Sequence, residues 1–321
     1  MEAMFKIIIR RMGFAFLTLI FVSGIVFISV EALPGNVCTA YLQRFAQGPR
    51  LEKCIEQQGL DRSSAVRFRD WLAGAVQGDL GVSLKRQKPI RELVGERLRN
   101  TVLLAGTSAA VGVPFAIVLG FWAGLRRDKR ADLAISGIAM LAMTIPEFVT
   151  ASLLIFIFAI WLNWLPAVTI VPPSASVLDI LPNIILPAIV LSLVMTAHIM
   201  RMTRTAVIDI LTSDFVEMAR LKGVPERRII WRHVAPSALI PTVNVIALTV
   251  AWLLSGVVVI EQVFNYPGMG TLMLQAIYDR DLPLVQAIAL IFSFIYVGVN
   301  LLADISAALL DPRLRTSRRV Y

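Results

Sequence analysis

Six apolar runs, each long enough to cross a lipid bilayer, constrain this chain more than any other feature: 13–30, 101–125, 133–162, 184–200, 239–260 and 284–302. A crossing helix takes about 20 such residues, because backbone N–H and C=O groups find no water in hydrocarbon and must bond within the helix. The expected fold class is therefore all-α, a polytopic membrane protein with six transmembrane helices and both termini on one side. Composition agrees: 57% of the residues are hydrophobic and 17% charged, and a mean hydropathy of +0.73 lies outside the soluble range.

A net charge of +9 would suit a nucleic-acid binder, but the basic residues gather just outside the spans. Lys6, Arg10 and Arg11 precede the first, Arg126, Arg127, Lys129 and Arg130 follow the second, and Arg313, Arg315, Arg318 and Arg319 follow the last. That is the pattern of cytoplasmic loops in a membrane protein, so no nucleic acid is expected and the lipid bilayer is. Loops 163–183 and 263–283 carry only Arg280 and are expected outside. The N and C termini and segment 201–237 then face the cytoplasm, as in a multi-pass protein of the bacterial inner membrane.

Segment 33–100 also holds many Lys and Arg, yet long loops translocate largely regardless of charge, so it is expected in a periplasm-like compartment. The resulting division is a stem and first helix at 1–32, an external lobe at 33–100, a transmembrane core at 101–310 and a cytoplasmic tail at 311–321. The first apolar run is longer than a signal-peptide core and has no clear small-residue cleavage site, so it is read as a true span. Leu33-Pro34-Gly35 breaks the chain at the outer face. From 50 to 82, apolar and charged residues alternate around Phe68, Trp71 and Leu72, which reads as a small helical lobe. Cys38 and Cys54 both fall in this exported segment, where they stand either as a disulfide or as two partly buried thiols.

Between the fourth and fifth spans lies a charged insert, 212–241. Asp214 and Glu217 sit three apart and can cap a helix start; Gly223 supplies a left-handed stop and Pro225 bars simple continuation. The helix predicted over 215–222 is too short to stand alone in water, so Phe215, Val216, Met218 and Leu221 need a surface to pack on. Pro225 can open a second short helix with Ile229, Ile230, His233 and Val234 on one face, which Pro236 should end.

This insert resembles the loop that marks permease subunits of binding-protein-dependent ABC importers: Glu-Ala-Ala, three residues, Gly, nine residues, Ile-x-Leu-Pro. Glu217, Met218 and Ala219 stand at the Glu-Ala-Ala positions, Gly223 follows at the right distance, and His233-Val-Ala-Pro236 closes the pattern with departures at 218, 233 and 235. After the fifth span, Glu261-Gln-Val-Phe264-Asn-Tyr-Pro267-Gly268-Met-Gly270 closely resembles the signature of the peptide class, Glu-x-Val-Phe-x-x-Pro-Gly-x-Gly. Read physically, it is a Pro-Gly turn with two permissive glycines at the outer mouth. Gly59-Leu-Asp61, the run from Gly78 to Ser83, Arg201-Met-Thr-Arg204, the run from Asp281 to Gln286 and Asp311-Pro-Arg-Leu-Arg315 are also similar to the dipeptide, oligopeptide and nickel class.

The resemblance implies a type I importer permease that pairs with a homologous second permease, binds two ATP-binding subunits and takes its solute from an external substrate-binding protein. It implies that the short helix lies in a groove of the ATP-hydrolysing subunit, so Asp214, Phe215, Glu217, Met218, Ala219, Arg220, Gly223 and Pro225 are the expected coupling residues. Peptides, nickel chelates and opines all remain open as substrates.

The third span carries Thr144-Ile-Pro146-Glu147 near its middle. An acid there costs at least about 2.5 kcal/mol and should face water, a partner or a pathway, while Pro146 frees a carbonyl and can bend the helix toward a cavity. Relatives with a similar Pro motif often have an apolar residue next, so Glu147 is a departure. Glu147, Thr144 and Asn244 are the pathway candidates; the alternative for Glu147 is a hydrogen bond between helices. Gly120 and Gly124 have the small-xxx-small spacing of closely packed helices. Asp304 is expected to form an ion pair with basic residues near the inner face.

No G-x-x-x-x-G-K-S/T loop occurs, so ATP and Mg are expected on partner subunits and no cofactor on this chain. With two histidines and no Cys-His cluster, a metal site and an enzyme are both unexpected. The rival reading is an ion-coupled secondary transporter acting alone, which predicts repeat-related broken helices and paired mid-membrane charges.

Overall fold

The computed structural model describes residues 2–32, 36–57, 59–169, 176–255 and 257–310, without the side chains of 2–8, 40, 43 and 307–310. Lys6, the Leu33-Pro34-Gly35 break, Arg313, Arg315, Arg318, Arg319 and the motif at 311–315 lie outside what is described. The described residues contain no strand, only one isolated bridge between Val82 and Pro89.

The first apolar run forms α1 (Glu2–Glu31), after which a small lobe follows: α2 (Val37–Leu42), α3 (Pro49–Gln57) and α4 (Ser64–Val76). The core continues through α5 (Ile90–Leu125), α6 (Arg130–Thr144), α7 (Glu147–Leu154, extended by a π-helical stretch Ile155–Trp161) and α8 (Val177–Leu211). Then come the short α9 (Asp214–Leu221) and α10 (Glu226–Ile229), the fifth span α11 (Ala235–Leu254), α12 (Val258–Val263), α13 (Met269–Tyr278) and the last span α14 (Leu282–Leu310).

Residues 90–100, read above as lobe, are instead the first turns of the second span, and α8 runs from 177 to 211 rather than 184 to 200. Helical hydrogen bonding outlasts the apolar run where charged side chains reach water. Two prolines, Pro182 and Pro187, lie inside α8. A proline removes the N–H that would bond the carbonyl four residues earlier. For Pro187 that carbonyl belongs to Asn183, and it accepts the Thr169 hydroxyl at 3.0 Å instead.

The third span is broken: α6 and the α7 stretch meet at 101° across Ile145–Pro146. Its two ends nevertheless lie at opposite ends of the molecule. Asp132, at the start of α6, is bonded to Arg204 near the end of α8; Thr169, beyond α7, bonds the Phe264 carbonyl at 2.9 Å. The molecule thus has a lobe end, where 31, 90, 169, 264 and 281 gather, and a loop end, where 11, 132, 204, 231 and 304 gather. Counting the broken pair as one span gives six candidate spans, five of them unbroken.

At the centre α5 lies directly on α8. A β-carbon on Gly120 would sit 2.5 Å from the Met200 carbonyl oxygen, and others on Gly112 and Gly124 would meet Met195 and Val207 at 2.8 and 2.7 Å. Polar links close the same seam, Ser192 Oγ to the Ser108 carbonyl at 3.0 Å and Thr196 Oγ1 to Gly112 at 3.3 Å. Gly120→Ala is therefore expected to cost about 1–3 kcal/mol through overpacking, read as a lower unfolding midpoint of the solubilised protein; an unchanged midpoint would deny the close seam.

The lobe is fastened to the first span and to the chain before the last, and is braced within itself by a disulfide. Phe27 of α1 meets Phe68 at a ring distance of 5.3 Å, and Glu31 pairs with Arg67. Cys38 and Cys54 are joined in a disulfide, their Cα atoms 5.8 Å apart. Asp281, before α14, accepts the Ser83 hydroxyl and the amides of Leu84 and Lys85 at 3.2 and 3.3 Å. At the other end Arg11 pairs with Asp304 at 2.7 Å, joining the first and last spans.

Candidate coupling surface and pathway cavity

At the loop end, α9 is capped differently from the sequence expectation. Ser213 occupies the cap: its carbonyl accepts the Val216 and Glu217 amides at 3.0 and 3.2 Å, and its hydroxyl donates to the Ile210 carbonyl. Asp214 and Glu217 lie within the first turn and form no capping box, because Glu217 sits one position past the one that could reach back to the cap. Their charge still favours that end of the helix dipole. Gly223 stops the helix at φ +75°, and Val224 bonds back to the Ala219 carbonyl at 3.1 Å. Across the turn over Pro225, Arg220 grips Glu226 with two hydrogen bonds of 2.7 and 3.2 Å.

This helix is anchored to its own chain through Val216, with Ala219 packed against the same cluster. Val216 is completely buried among Ala206 and Val207 of α8 and Ile229, Val234 and Ala238 leading into α11. Phe215, Met218 and Leu221 are 42%, 53% and 76% exposed, and nearby Trp231, stacked on Phe121, is 68% exposed. Asp214, Glu217 and Arg220 are also exposed, while Ala219 is half-buried. A buried valine under an uncovered apolar row is the geometry of a helix mounted on one molecule and presented to another.

Pro236 does not end the second short helix. From Glu226 to Leu254 the chain is one continuous span, passing through a π-helical turn at Ile230–Val234. Pro236 falls in the first turn of the α-helix that resumes after it, where the register change leaves its missing N–H without consequence.

A second anchor at this end was not singled out from the sequence. Arg204 grips the fully buried Asp132 with hydrogen bonds of 2.5 and 2.7 Å, and Asp132 also accepts the Asp128 amide at 2.9 Å. The available signal was an acid opening a span just after a basic run, matched by Arg201 and Arg204 late in an apolar helix.

At the lobe end, the motif from 261 to 270 is closed on itself. Glu261 is buried; its carboxylate accepts the Thr271 amide at 2.7 Å and the Thr101 hydroxyl at 3.0 Å. Burial pushes this carboxyl up from the ordinary range, and those donors pull it back. Asn100 donates to the Pro267 carbonyl at 2.9 Å and accepts the buried Tyr266 hydroxyl at 2.6 Å. Phe264 is fully buried in the main core. The glycines are not there for backbone freedom: Gly268 has φ −102°, open to any residue. They make room for an acid, since a β-carbon on Gly268 would lie 2.0 Å from Glu261 Oε1 and one on Gly270 3.0 Å from Oε2.

Between the two ends, the break at Pro146 opens a cavity of about 430 Å³ lined by Met143, Glu147, Met195, His198, Thr249 and Trp252, among others. Glu147 is the first residue of α7 and is half-buried. Thr144 and Asn244 are exposed but do not line the cavity; Thr144 donates to the Met140 carbonyl at 2.8 Å. The structure thus gathers the coupling residues at one end and the signature residues at the other, and brings only Glu147 of the three pathway candidates to the cavity. Among the described residues there is no group of three metal-ligating side chains.

Residues 116–316 match the family described as "Binding-protein-dependent transport system inner membrane component", and residues 4–105 match "Binding-prot-dependent transport system membrane comp, N-term". A Brucella abortus protein provisionally named a peptide transport system permease protein is 33% identical over 312 residues, covering 97% of this chain and 99% of its own. The glutathione transport system permease protein GsiC of Escherichia coli is 33% identical with the same coverage. The oligopeptide transport system permease protein AppB of Bacillus subtilis is 32% identical over 96% of this chain and 98% of its own. With most of its membrane core inside that first match, the chain belongs to the inner-membrane components of binding-protein-dependent transport systems, as a multi-pass permease.

Proposed function

We propose that this permease imports short peptides, as one of two homologous permeases that share two ATP-binding subunits and receive solute from an exported binding protein. ATP and Mg are held by the ATP-binding subunits, and this chain itself catalyses nothing. The observation that carries the reading is the uncovered apolar row of Phe215, Met218, Leu221 and Trp231 above the buried Val216. The relatives' names, for peptides, oligopeptides and glutathione, support the substrate class. Arg10, Arg11, Arg126, Arg127, Lys129 and Arg130 at the loop end support a cytoplasmic position for α9 and for both termini.

Coupling follows from the anchors. Movement of α9 presses Val216 on Val207 of α8 and on Ile229 and Val234, which continue into α11. Since α8 is seated on α5 through the glycine seam and holds α6 through Arg204–Asp132, the same movement reaches the break at Pro146. Access to the cavity then alternates between faces.

A broken span with a half-buried acid is also what an ion-coupled secondary transporter would have. Reconstitution of the complex purified from its own membranes separates the two. The importer reading expects ATP-binding subunits to co-purify and peptide uptake to require ATP while ignoring a collapsed proton or sodium gradient. Uptake that persists without ATP and follows the gradient would overturn it.

A further inference from the structure

Building on the importer reading, we infer that the cavity at the break of the third span is a recognition site for a primary ammonium group carried on an apolar body, with Glu147 as its counter-ion.

The lining has one acid, one imidazole, that of His198, and neither Lys nor Arg. No hydrogen bond or ion pair from the described residues reaches the Glu147 carboxyl, unlike Asp132, Glu261 and Asp281, each of which is held by several donors. The other buried acids in this protein are thus provided for internally, and this one is presented to a void. An acid at membrane depth that faces a cavity marks a substrate or ion pathway by default.

The rest of the lining selects among cations. A metal ion such as sodium needs several oxygen ligands, and the cavity's neighbours are mostly apolar, with Met143, Met195, Leu248 and Trp252 around the acid. Trp252, an aromatic residue in the lining, suits an organic cation over a metal ion. The Thr249 hydroxyl donates to the Val245 carbonyl at 2.8 Å, which leaves its oxygen free to accept an N–H. An ammonium donates three hydrogen bonds, and Glu147 and Thr249 supply acceptors for them; the methionines and the indole take the hydrocarbon. In a peptide importer the group that fits is the peptide's free amino terminus.

Dicyclohexylcarbodiimide adds to a protonated carboxyl in an apolar setting and rearranges to a stable N-acylurea with no leaving group, so it reports directly on Glu147. Treating the complex in its native membranes and reading residue 147 by mass spectrometry, with any butylamide formed by amine capture of the activated carboxyl counted as label beside the N-acylurea, we expect total labelling that n-butylammonium at ten times its dissociation constant suppresses about tenfold. Neutral N-butylacetamide should leave it unchanged. No labelling at 147, or equal protection by both compounds, overturns the proposal.

Transport gives an independent arm: Glu147→Asp should retain peptide uptake well above Glu147→Gln at equal membrane levels. Equal uptake by the two variants also counts as refutation. If labelling behaves as expected while the wild type imports no peptide, the importer reading fails and the ammonium site stands.

Discussion

Gly268→Ala should leave little folded protein in the membrane. The new methyl carbon would be placed 2.0 Å from Glu261 Oε1, 2.3 Å from its carboxyl carbon and 2.6 Å from Oε2. The backbone at 268 is extended and unstrained, so the effect is purely steric. Glu261 cannot swing away cheaply: its carboxylate holds the Thr271 amide that opens α13 and the Thr101 hydroxyl, which in turn accepts the Met269 amide at 2.9 Å. Displacing it leaves a buried carboxylate and several buried donors unpaired, a loss of about 3–5 kcal/mol by analogy with breaking a buried ion pair. The unfolding midpoint in detergent measures it. The double variant Gly268→Ala/Glu261→Ala provides the control, because removing the carboxylate removes the obstacle; the two changes should be markedly non-additive. A wild-type midpoint for Gly268→Ala would mean that the acid does not occupy the space next to the glycine.

That pair also marks where reading the chain in one dimension stops. Glu261, Pro267, Gly268 and Gly270 were all visible as a motif, yet their spacing suggests a turn needing flexible glycines. Only closure in space reveals that residue 261 fills the volume the glycines vacate. The apolar runs were legible because hydrocarbon leaves a helix no alternative, and Pro146 signalled a bend. Its 101° was not legible, because a proline specifies a missing bond rather than an angle. Pro182 and Pro187 are the complementary case, since a proline argues locally against a helix and the repair at Pro187 comes from Thr169, outside the helix. Gly120 and Gly124 announced a close seam, but not that its other side was α8. The Arg204–Asp132 grip spans 72 residues of sequence, and no local pattern joins its two halves.

The proposed coupling helix, α9, allows folding and function to be tested separately. Leu221→Glu places a charge on the most exposed member of the apolar row, 76% exposed, where no contact within this chain depends on the leucine. The amount and stability of the chain should therefore be unchanged, while ATP-driven uptake should fall more than about tenfold, since a charge buried against an apolar groove without a partner costs well over 1.4 kcal/mol. ATP-binding subunits should no longer co-purify. Gly223→Val attacks the same contact from the other side. A β-carbon at 223 meets nothing within 4 Å, so the valine is not excluded by space; it is opposed by a backbone at φ +75°, which costs an L residue roughly 1–2 kcal/mol. The turn then relaxes and carries α9 out of register with the Arg220–Glu226 grip, so uptake should fall while insertion is intact. Both variants are compared at equal membrane level by immunoblot. Normal uptake in Leu221→Glu would show that nothing docks on this row, and the force that opens the cavity would have to enter the molecule elsewhere.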